Sequence, residues 1–138
     1  MDDNGNLKGK DSMRQKTVIC AAAGVLLAVF LNGCASSARF VAVPSGPLSQ
    51  KPYVAVYGKE GCPACADLKK DLARKGTDYL DKDISDPGIK RELVSRMETA
   101  GLQTDYFLIP VVDVNGKLAI RPKAREVTDR YRAADTAG

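Results

Sequence analysis

The fold is decided by the stretch Gly58-Lys59-Glu60-Gly61-Cys62-Pro63-Ala64-Cys65. The nearly continuous apolar run at residues 53–57 precedes it and predicts a strand buried on both faces. Residues 64–75 follow it, and their apolar positions recur at helical spacing. Cys62 is therefore expected on a turn at the start of a helix, with Cys65 one turn further in. Both thiols then lie on one side, close enough to form a disulfide with little backbone movement.

The predicted position of Cys62 suits thiol–disulfide chemistry. The thiolate is the attacking species in disulfide exchange, and a helix N-terminus favours negative charge because its backbone N–H groups lack helical partners. Pro63 fits the first helical position, where its missing N–H costs nothing. Cys65 is the expected resolving thiol, and Lys59 adds a positive charge nearby. We therefore predict that Cys62 and Cys65 form a redox pair.

The cysteine pair has four other interpretations. A structural bridge that closes so short a loop stabilises little by chain entropy. A zinc site needs about four ligands, but the sequence has no second cysteine pair and no histidine. The two thiolates alone match Cu(I), which prefers soft sulfur ligands. An interaction domain with an idle dithiol is the remaining alternative. The redox interpretation implies neither a resident metal nor another cofactor.

Length and charge restrict the classes of protein. A chain of 138 residues suits one small domain. Lysine and arginine number 21 against 17 aspartates and glutamates, and the excess is spread along the chain without a basic block. Nucleic acid is therefore not an expected partner.

Residues 1–33 are predicted to be an N-terminal extension and a signal peptide. Translation starts at Met1 or at Met13, which opens a short basic segment. The apolar run at residues 17–31 would reach roughly 22 Å as a helix, short of the roughly 30 Å hydrocarbon core. A basic front, a short apolar run and small residues behind it are typical of an export signal.

The end of this apolar run, Leu31-Asn32-Gly33-Cys34, resembles a bacterial lipobox. The resemblance implies that Cys34 is lipidated and becomes the mature N-terminus. Because Ala35 follows, the usual sorting pattern implies the periplasmic face of the outer membrane, with an inner-membrane anchor that faces the periplasm as the alternative. An uncleaved anchor with an unmodified Cys34 would also place the domain outside the cytosol.

The remaining chain divides into three parts. Residues 34–51 are rich in Ser, Pro and Gly and are predicted to be a flexible linker that reaches roughly 23 Å. Residues 52–132 are predicted to be the folded domain, and residues 133–138 a disordered tail. In the domain we expect strands at residues 53–57, 78–84, 109–114 and 117–120, and helices at 63–75, 86–100 and from 122 onward.

Two local signals set the order of the predicted strands. The first strand, helix and second strand form a unit whose right-handed crossover makes the two strands parallel. Asn115-Gly116 is a strong two-residue hairpin signal, so the last two strands are antiparallel. The second strand is short and polar, as expected at the edge of a sheet.

The motif Tyr57-Gly58-Lys59-x-Gly61-Cys62-Pro63-x-Cys65 resembles a glutaredoxin active site. Together with Ile109-Pro110 before a later strand, it makes residues 52–132 similar to the glutaredoxin and thioredoxin superfamily. The resemblance implies an α/β thioredoxin-like fold with a four-stranded mixed sheet in the order 4-3-1-2 and helices on both faces. Val56 stands where thioredoxins place a buried acid, which favours the glutaredoxin branch.

The resemblance also implies roles for individual residues. Pro110 matches the cis-proline beside the dithiol, and Ile109 would pair its backbone with the bound substrate. Tyr57 is assigned to substrate binding with them. Lys59 matches the lysine that stabilises the thiolate and meets a glutathione carboxylate.

One segment departs from the family pattern. Where glutaredoxins carry two glycines and then an acidic pair, this chain has Arg121-Pro122-Lys123-Ala124-Arg125-Glu126. These cations could not hold the glutathione amine as acids would, so glutathione is a doubtful partner. We expect the basic residues to select a partner surface instead.

The sequence therefore predicts an exported, lipid-anchored thiol–disulfide oxidoreductase. Its expected substrates are protein disulfides or dithiols, and a membrane thiol protein is the expected electron donor or acceptor. The same residues serve reduction and oxidation, so the direction stays open.

Overall fold

The computed structural model describes residues 37–136. The predicted signal peptide, the lipidation at Cys34 and the choice between Met1 and Met13 lie outside the described residues. Within residues 37–136, no helix has both the length and the apolar character needed to cross a membrane.

Five strands and three helices follow one another along the described residues. Their bounds are β1 (Val41–Ala42), β2 (Val54–Gly58), α1 (Pro63–Arg74), β3 (Leu80–Asp83), α2 (Pro87–Thr99), β4 (Val111–Val114), β5 (Lys117–Ile120) and α3 (Ala124–Asp135). From β2 onward this is the predicted order of elements. Because α3 continues to Asp135, the prediction of a disordered tail from residue 133 is wrong for residues 133–135.

The strands form one mixed sheet in the order β1-β5-β4-β2-β3. β2 pairs in parallel with β3 and antiparallel with β4, which in turn pairs antiparallel with β5. Without β1, this is the predicted 4-3-1-2 arrangement, with the polar β3 at one edge. The thioredoxin-like α/β class is confirmed, but the strand count is five instead of four.

The extra strand corrects the prediction of a flexible linker over residues 34–51. β1 pairs antiparallel with β5, with Val41 opposite Leu118. The Val43 N–H donates to the Gly116 carbonyl over 2.8 Å, and Val43 is buried. The physical reason is the open edge of β5, whose unpaired backbone groups accept a further strand. The folded domain therefore begins before residue 52.

Local sequence explains where the helices and the hairpin form. Asp86 caps α2, because its side chain accepts the Gly88 and Ile89 N–H groups over 2.6 and 3.0 Å. The hairpin between β4 and β5 turns through Asn115 and Gly116, both at positive φ, as a two-residue turn of this type requires.

Apolar side chains cover both faces of the sheet, so the prediction of helices on both faces is confirmed. One cluster lies between the sheet and α2, and it comprises Val43, Tyr53, Ala55, Tyr57, Leu93, Met97, Val111 and Leu118. The other lies between the sheet and helices α1 and α3, and it comprises Val54, Val56, Leu68, Leu72, Val112, Val114, Ala124 and Val127.

A buried ionic network lies under α2, and sequence reasoning missed it. Arg96 Nε donates to Asp113 Oδ2 over 3.0 Å, and the Asp113 side chain is completely buried. Asp113 Oδ1 accepts from the Tyr53 hydroxyl over 3.0 Å and from the Gly116 N–H over 2.8 Å. Arg96 also donates to the Gly46 carbonyl over 3.1 Å. The network therefore ties the segment after β1 to the sheet.

Candidate dithiol active site

The two cysteines lie where β2 leads into α1. Cys62 is the N-cap of α1, and its Sγ accepts the Cys65 backbone N–H over 3.2 Å. The two residues are joined by a disulfide, with their Cα atoms 5.3 Å apart. Cys62 is half-buried, whereas Cys65 is only 1% exposed. An incoming group can therefore reach Cys62 more easily than Cys65.

Gly58 allows the close packing of the dithiol against the sheet. It is the last residue of β2, and a Cβ atom added there would lie 2.9 Å from Cys65 Sγ. Real Cβ atoms essentially never approach so closely. The glycine therefore fixes how near the resolving sulfur lies to the strand end, a role that sequence reasoning did not assign to it.

A cleft of about 630 Å³ opens beside Cys62. Lys59, Ile109 and Arg121 line it together with Cys62. The Ile109–Pro110 peptide bond is cis, as the resemblance implies for Pro110, and the Pro110 ring is buried next to the cleft. The Arg121 N–H donates to the Pro110 carbonyl over 2.8 Å. The end of β5 thus holds the loop that carries Ile109.

A second, smaller cleft of about 370 Å³ reaches both cysteines from the side of β3. An ion pair of 2.6 Å between Lys69 and Asp81 lies on its wall. Asp83 lines it too, and the Ser85 backbone N–H holds the pKa of that carboxyl below its ordinary value. Cys62 therefore borders two clefts, whereas Cys65 borders only the smaller one.

The comparisons with known proteins agree with this geometry. Residues 54–119 match the family model described as glutaredoxin. This segment is therefore similar to glutaredoxins in sequence, and it lies within the thioredoxin-like fold described above. With its cysteine pair at disulfide distance, it is a thiol–disulfide redox module.

Two further comparisons, with solved structures and with curated proteins, gave the following results. A crystal structure of a mutant of the thioredoxin-like protein BC3987 is 19% identical, with a TM-score of 0.45, and the match covers 55% of this chain and 95% of that one. No curated protein matches the chain.

Four of the six predicted catalytic and substrate-binding residues meet at the larger cleft of the glutaredoxin-like domain, which is lined by Lys59, Cys62 and Ile109 and has Pro110 beside it. Cys65 lies behind Cys62 and faces the smaller cleft.

Tyr57 does not belong with them, and its assignment to substrate binding is corrected. Its side chain is 0% exposed, and its hydroxyl donates to Glu92 Oε1 over 2.6 Å. Burial, and after it the hydrogen bond to Glu92, raise the pKa of Tyr57 above its ordinary value. The residue packs in the core between the sheet and α2, since alternate residues of a strand face opposite sides.

Among the residues that line the larger cleft, sequence reasoning did not assign Lys90 on α2 or Tyr106 in the loop before Pro110 to a site. Nothing in their local sequence distinguishes them from ordinary surface residues. Only the fold, which brings α2 and that loop to the same cleft as Cys62, places them there.

A metal-binding role would rest on the two cysteines alone. Among residues 37–136, no group of three or more His, Cys, Asp or Glu side chains is arranged to hold a metal ion. The Cu(I) alternative therefore depends on the reduced Cys62–Cys65 pair without a third protein ligand of these types from the described residues.

Proposed function

We propose that this protein is a thiol–disulfide oxidoreductase that acts on protein disulfides or dithiols through Cys62 and Cys65. The observation that carries the proposal is the unequal placement of the two sulfurs. Cys62 caps the N-terminus of α1 and borders two clefts, whereas Cys65 is buried behind it. A capping sulfur that accepts a backbone N–H is stabilised as the thiolate, the reactive form.

In the reductive direction the exchange has two steps. The Cys62 thiolate attacks one sulfur of the substrate disulfide, a mixed disulfide forms, and the other substrate sulfur leaves as a thiolate. Cys65 loses its proton to solvent and attacks Cys62 Sγ, so that the Cys62–Cys65 disulfide forms and the second substrate thiolate leaves. Two electrons pass from the protein to the substrate. The reverse sequence oxidises a substrate dithiol.

Neighbouring residues have supporting roles in the proposal. The Lys59 ammonium lines both clefts and favours the Cys62 thiolate by its charge. Ile109 offers its backbone to an extended substrate segment, and Pro110 shapes the wall beside Cys62. Either a dithiol protein of the membrane or a disulfide protein returns the pair to its starting state.

The decisive experiment is to trap the mixed disulfide. Replacing the resolving thiol, Cys65→Ala, leaves Cys62 able to attack but removes the second step. Expressed with its own N-terminal segment, this variant should accumulate disulfide-linked partner proteins that reductant releases. The double variant Cys62→Ala/Cys65→Ala is the matched control and should trap none. If the two variants give the same adducts, or if neither gives any, the proposed function is wrong.

The proposal includes a lipid anchor at Cys34 on the periplasmic face of the outer membrane, supported by the lipobox-like sequence. The Ala38 N–H donates to Glu126 on α3, so only the three residues 35–37 would separate the lipidated Cys34 from a residue bonded to the folded domain, a path of four residue steps. An extended chain of that length spans roughly 14 Å. Intact mass of the protein from separated inner and outer membranes tests the anchor: diacylglyceryl mass on a chain that begins at Cys34 is expected, and an unmodified Cys34 would exclude it.

A further inference from the structure

The cleft beside Cys62 is unusually rich in positive charge. Lys59, Lys90 and Arg121 line it, and all three are exposed. Among the described residues, none of them takes part in an ion pair. The one acidic residue on the cleft wall is Asp105. An approaching group therefore meets a net positive charge, because three cations that form no ion pair within residues 37–136 face one carboxylate.

The backbone conformation of Arg121 supports a functional role for this residue. Its φ is +49°, in the left-handed region where glycine is the favoured residue. Non-glycine residues in such conformations cluster at functional sites, where the surrounding structure holds them. Here the Arg121 N–H is fixed on the Pro110 carbonyl, which keeps the guanidinium-bearing residue at the edge of the cleft.

The same cleft has an apolar wall. Tyr106 is 74% exposed and Leu108 is 45% exposed, and both precede Ile109 in the loop that faces Cys62. Large apolar side chains that lie together on a surface and are rimmed by charges are typical of protein interaction sites. The cleft beside the nucleophile thus combines an apolar contact with three cations that form no ion pair in the described part of the chain.

We propose that this cleft binds a segment of a protein partner whose reactive cysteine is flanked by acidic residues and by an apolar side chain. Lys59, Lys90 and Arg121 attract the partner's carboxylates, and Tyr106 contacts its apolar residue. The inference rests on the proposed exchange activity and names its preferred substrate. Charge complementarity of this kind acts chiefly on the rate of association and on the choice of partner.

Three disulfide-linked peptide dimers of equal length test the preference. Each carries one cysteine and one leucine, and the two residues flanking the cysteine are Glu, Gln or Lys. The rate constant for reduction by the dithiol form of the protein is measured by stopped flow. We expect the order Glu, Gln, Lys, with about a tenfold ratio between the extremes at low ionic strength. The ratio should shrink toward one at about 1 M salt, where the screening length falls to roughly 3 Å.

Charge-matched variants locate the effect. Arg121→Gln should lower the Glu-to-Lys ratio by about threefold. Lys117→Gln removes the same charge at the far end of β5, where Lys117 is exposed outside the cleft, and should leave the ratio unchanged. Tyr106→Ser should slow reduction of the leucine-containing Glu peptide more than that of a matched peptide with serine in place of leucine.

The outcomes separate this inference from the proposed function. If the Gln peptide is not reduced at all, the exchange activity itself is wrong. If all three peptides are reduced at equal rates, or if Lys117→Gln changes the ratio as much as Arg121→Gln, exchange stands and the acidic preference is overturned. If oxidised glutathione is reduced faster than the Glu peptide, the cleft serves a small thiol and the protein-segment proposal is overturned.

Discussion

Polar groups lie beyond both ends of β2, but they differ in burial and in the number of their hydrogen-bond partners. Before the strand, Tyr53 joins the buried network in which both Asp113 oxygens accept hydrogen bonds and Arg96 neutralises the charge. After it, the Cys62 sulfur is half-buried and borders two clefts, and one backbone N–H is its donor. A saturated, buried network holds structure, whereas an accessible group with few partners is available for reaction.

A glycine permits close packing at each end. Gly58 lets Cys65 Sγ lie against the end of β2, because a Cβ there would be 2.9 Å from the sulfur. Gly116 lets the segment after β1 lie on the hairpin, because a Cβ there would be 2.8 Å from the Pro47 nitrogen. The same device brings a sulfur into position at one end and fastens the extra strand at the other.

The largest effect is expected at the dithiol. Cys62→Ser should lower the rate of disulfide exchange by more than about 10³-fold, since the nucleophile is lost. Because serine is a good N-cap, the free energy of unfolding of Cys62→Ser should stay within about 0.5 kcal/mol of that of the reduced wild-type protein. Reduction of a small aromatic disulfide, followed by absorbance, and urea denaturation under reducing conditions measure the two quantities.

Cys62→Ala is the matched control, because it removes the nucleophile and the cap together. It should be about 1 kcal/mol less stable than Cys62→Ser and equally inactive. Substantial exchange by either variant would mean that Cys65 can act alone, which would contradict the division of roles between the two sulfurs.

A substitution in the buried network around Asp113, at the other end of β2, should lower stability and leave exchange activity nearly unchanged. Asp113→Ala leaves Arg96 buried without a counter-charge and should lower the free energy of unfolding by about 3–5 kcal/mol. Exchange per folded molecule should remain within about threefold of wild type, because the network does not border either cleft. Urea denaturation and exchange assays well below the unfolding midpoint measure both.

Asp129→Ala removes one exposed carboxylate of α3 and should change stability by no more than about 0.5 kcal/mol. A cost of less than about 1 kcal/mol for Asp113→Ala would show that the network is not a major support of the fold.

The third prediction concerns the extra strand. Gly116 and Gly101 both have positive φ, but a Cβ at Gly116 would strike the segment around Pro47, whereas nothing lies within 4 Å of one at Gly101. Alanine at either site has the left-handed penalty of about 1–2 kcal/mol. Gly116→Ala should therefore cost roughly 1–2 kcal/mol more than Gly101→Ala.

The displaced segment should also show in hydrogen exchange. Because the Val43 N–H is bonded to the Gly116 carbonyl, its amide should lose protection in Gly116→Ala and keep it in Gly101→Ala. Equal costs and unchanged Val43 protection would mean that the extra strand is held independently of the hairpin.

Sequence patterns predicted most of the elements because their signals are local. Asp86-Pro87 marks the start of α2, Asn115-Gly116 the hairpin, and Cys62-Pro63 the start of α1. The extra strand gave no such signal. Val41–Ala42 is too short for a periodic pattern, lies in a segment rich in Ser, Pro and Gly, and becomes a strand only because the edge of β5 is open.

The sequence does contain a signal for the ionic network of Arg96 and Asp113. Asp113 interrupts an otherwise apolar strand, and Arg96 lies three positions after Leu93 on the buried face of α2. Two opposite charges at positions expected to be buried predict that they pair. For Tyr57, position in the motif suggested substrate binding, but the strand alternation places its side chain under α2.

The smallest change in stability is expected at Asp83, which lines the smaller cleft beside the cysteines. The Ser85 backbone N–H donates to Asp83 Oδ1 over 2.8 Å, and chiefly this hydrogen bond lowers the pKa of Asp83 in the folded protein. A lowered folded-state pKa means that the ionised form stabilises the fold above the unfolded pKa of about 3.9. The contribution is lost as the pH falls through the folded-state value.

Asp83→Asn should therefore be slightly less stable than wild type at neutral pH, because its amide oxygen accepts the same hydrogen bond less strongly than a carboxylate does. Urea denaturation at several pH values should show the difference shrinking to zero as the pH falls through the lowered pKa of Asp83. Asp129→Asn, on helix α3, controls for the loss of one negative charge away from β3. If the stability difference between wild type and Asp83→Asn widened in acid, protonated Asp83 would stabilise the fold. Asp83 would then resemble the buried groups of the Asp113 network and not the accessible groups around the cysteines.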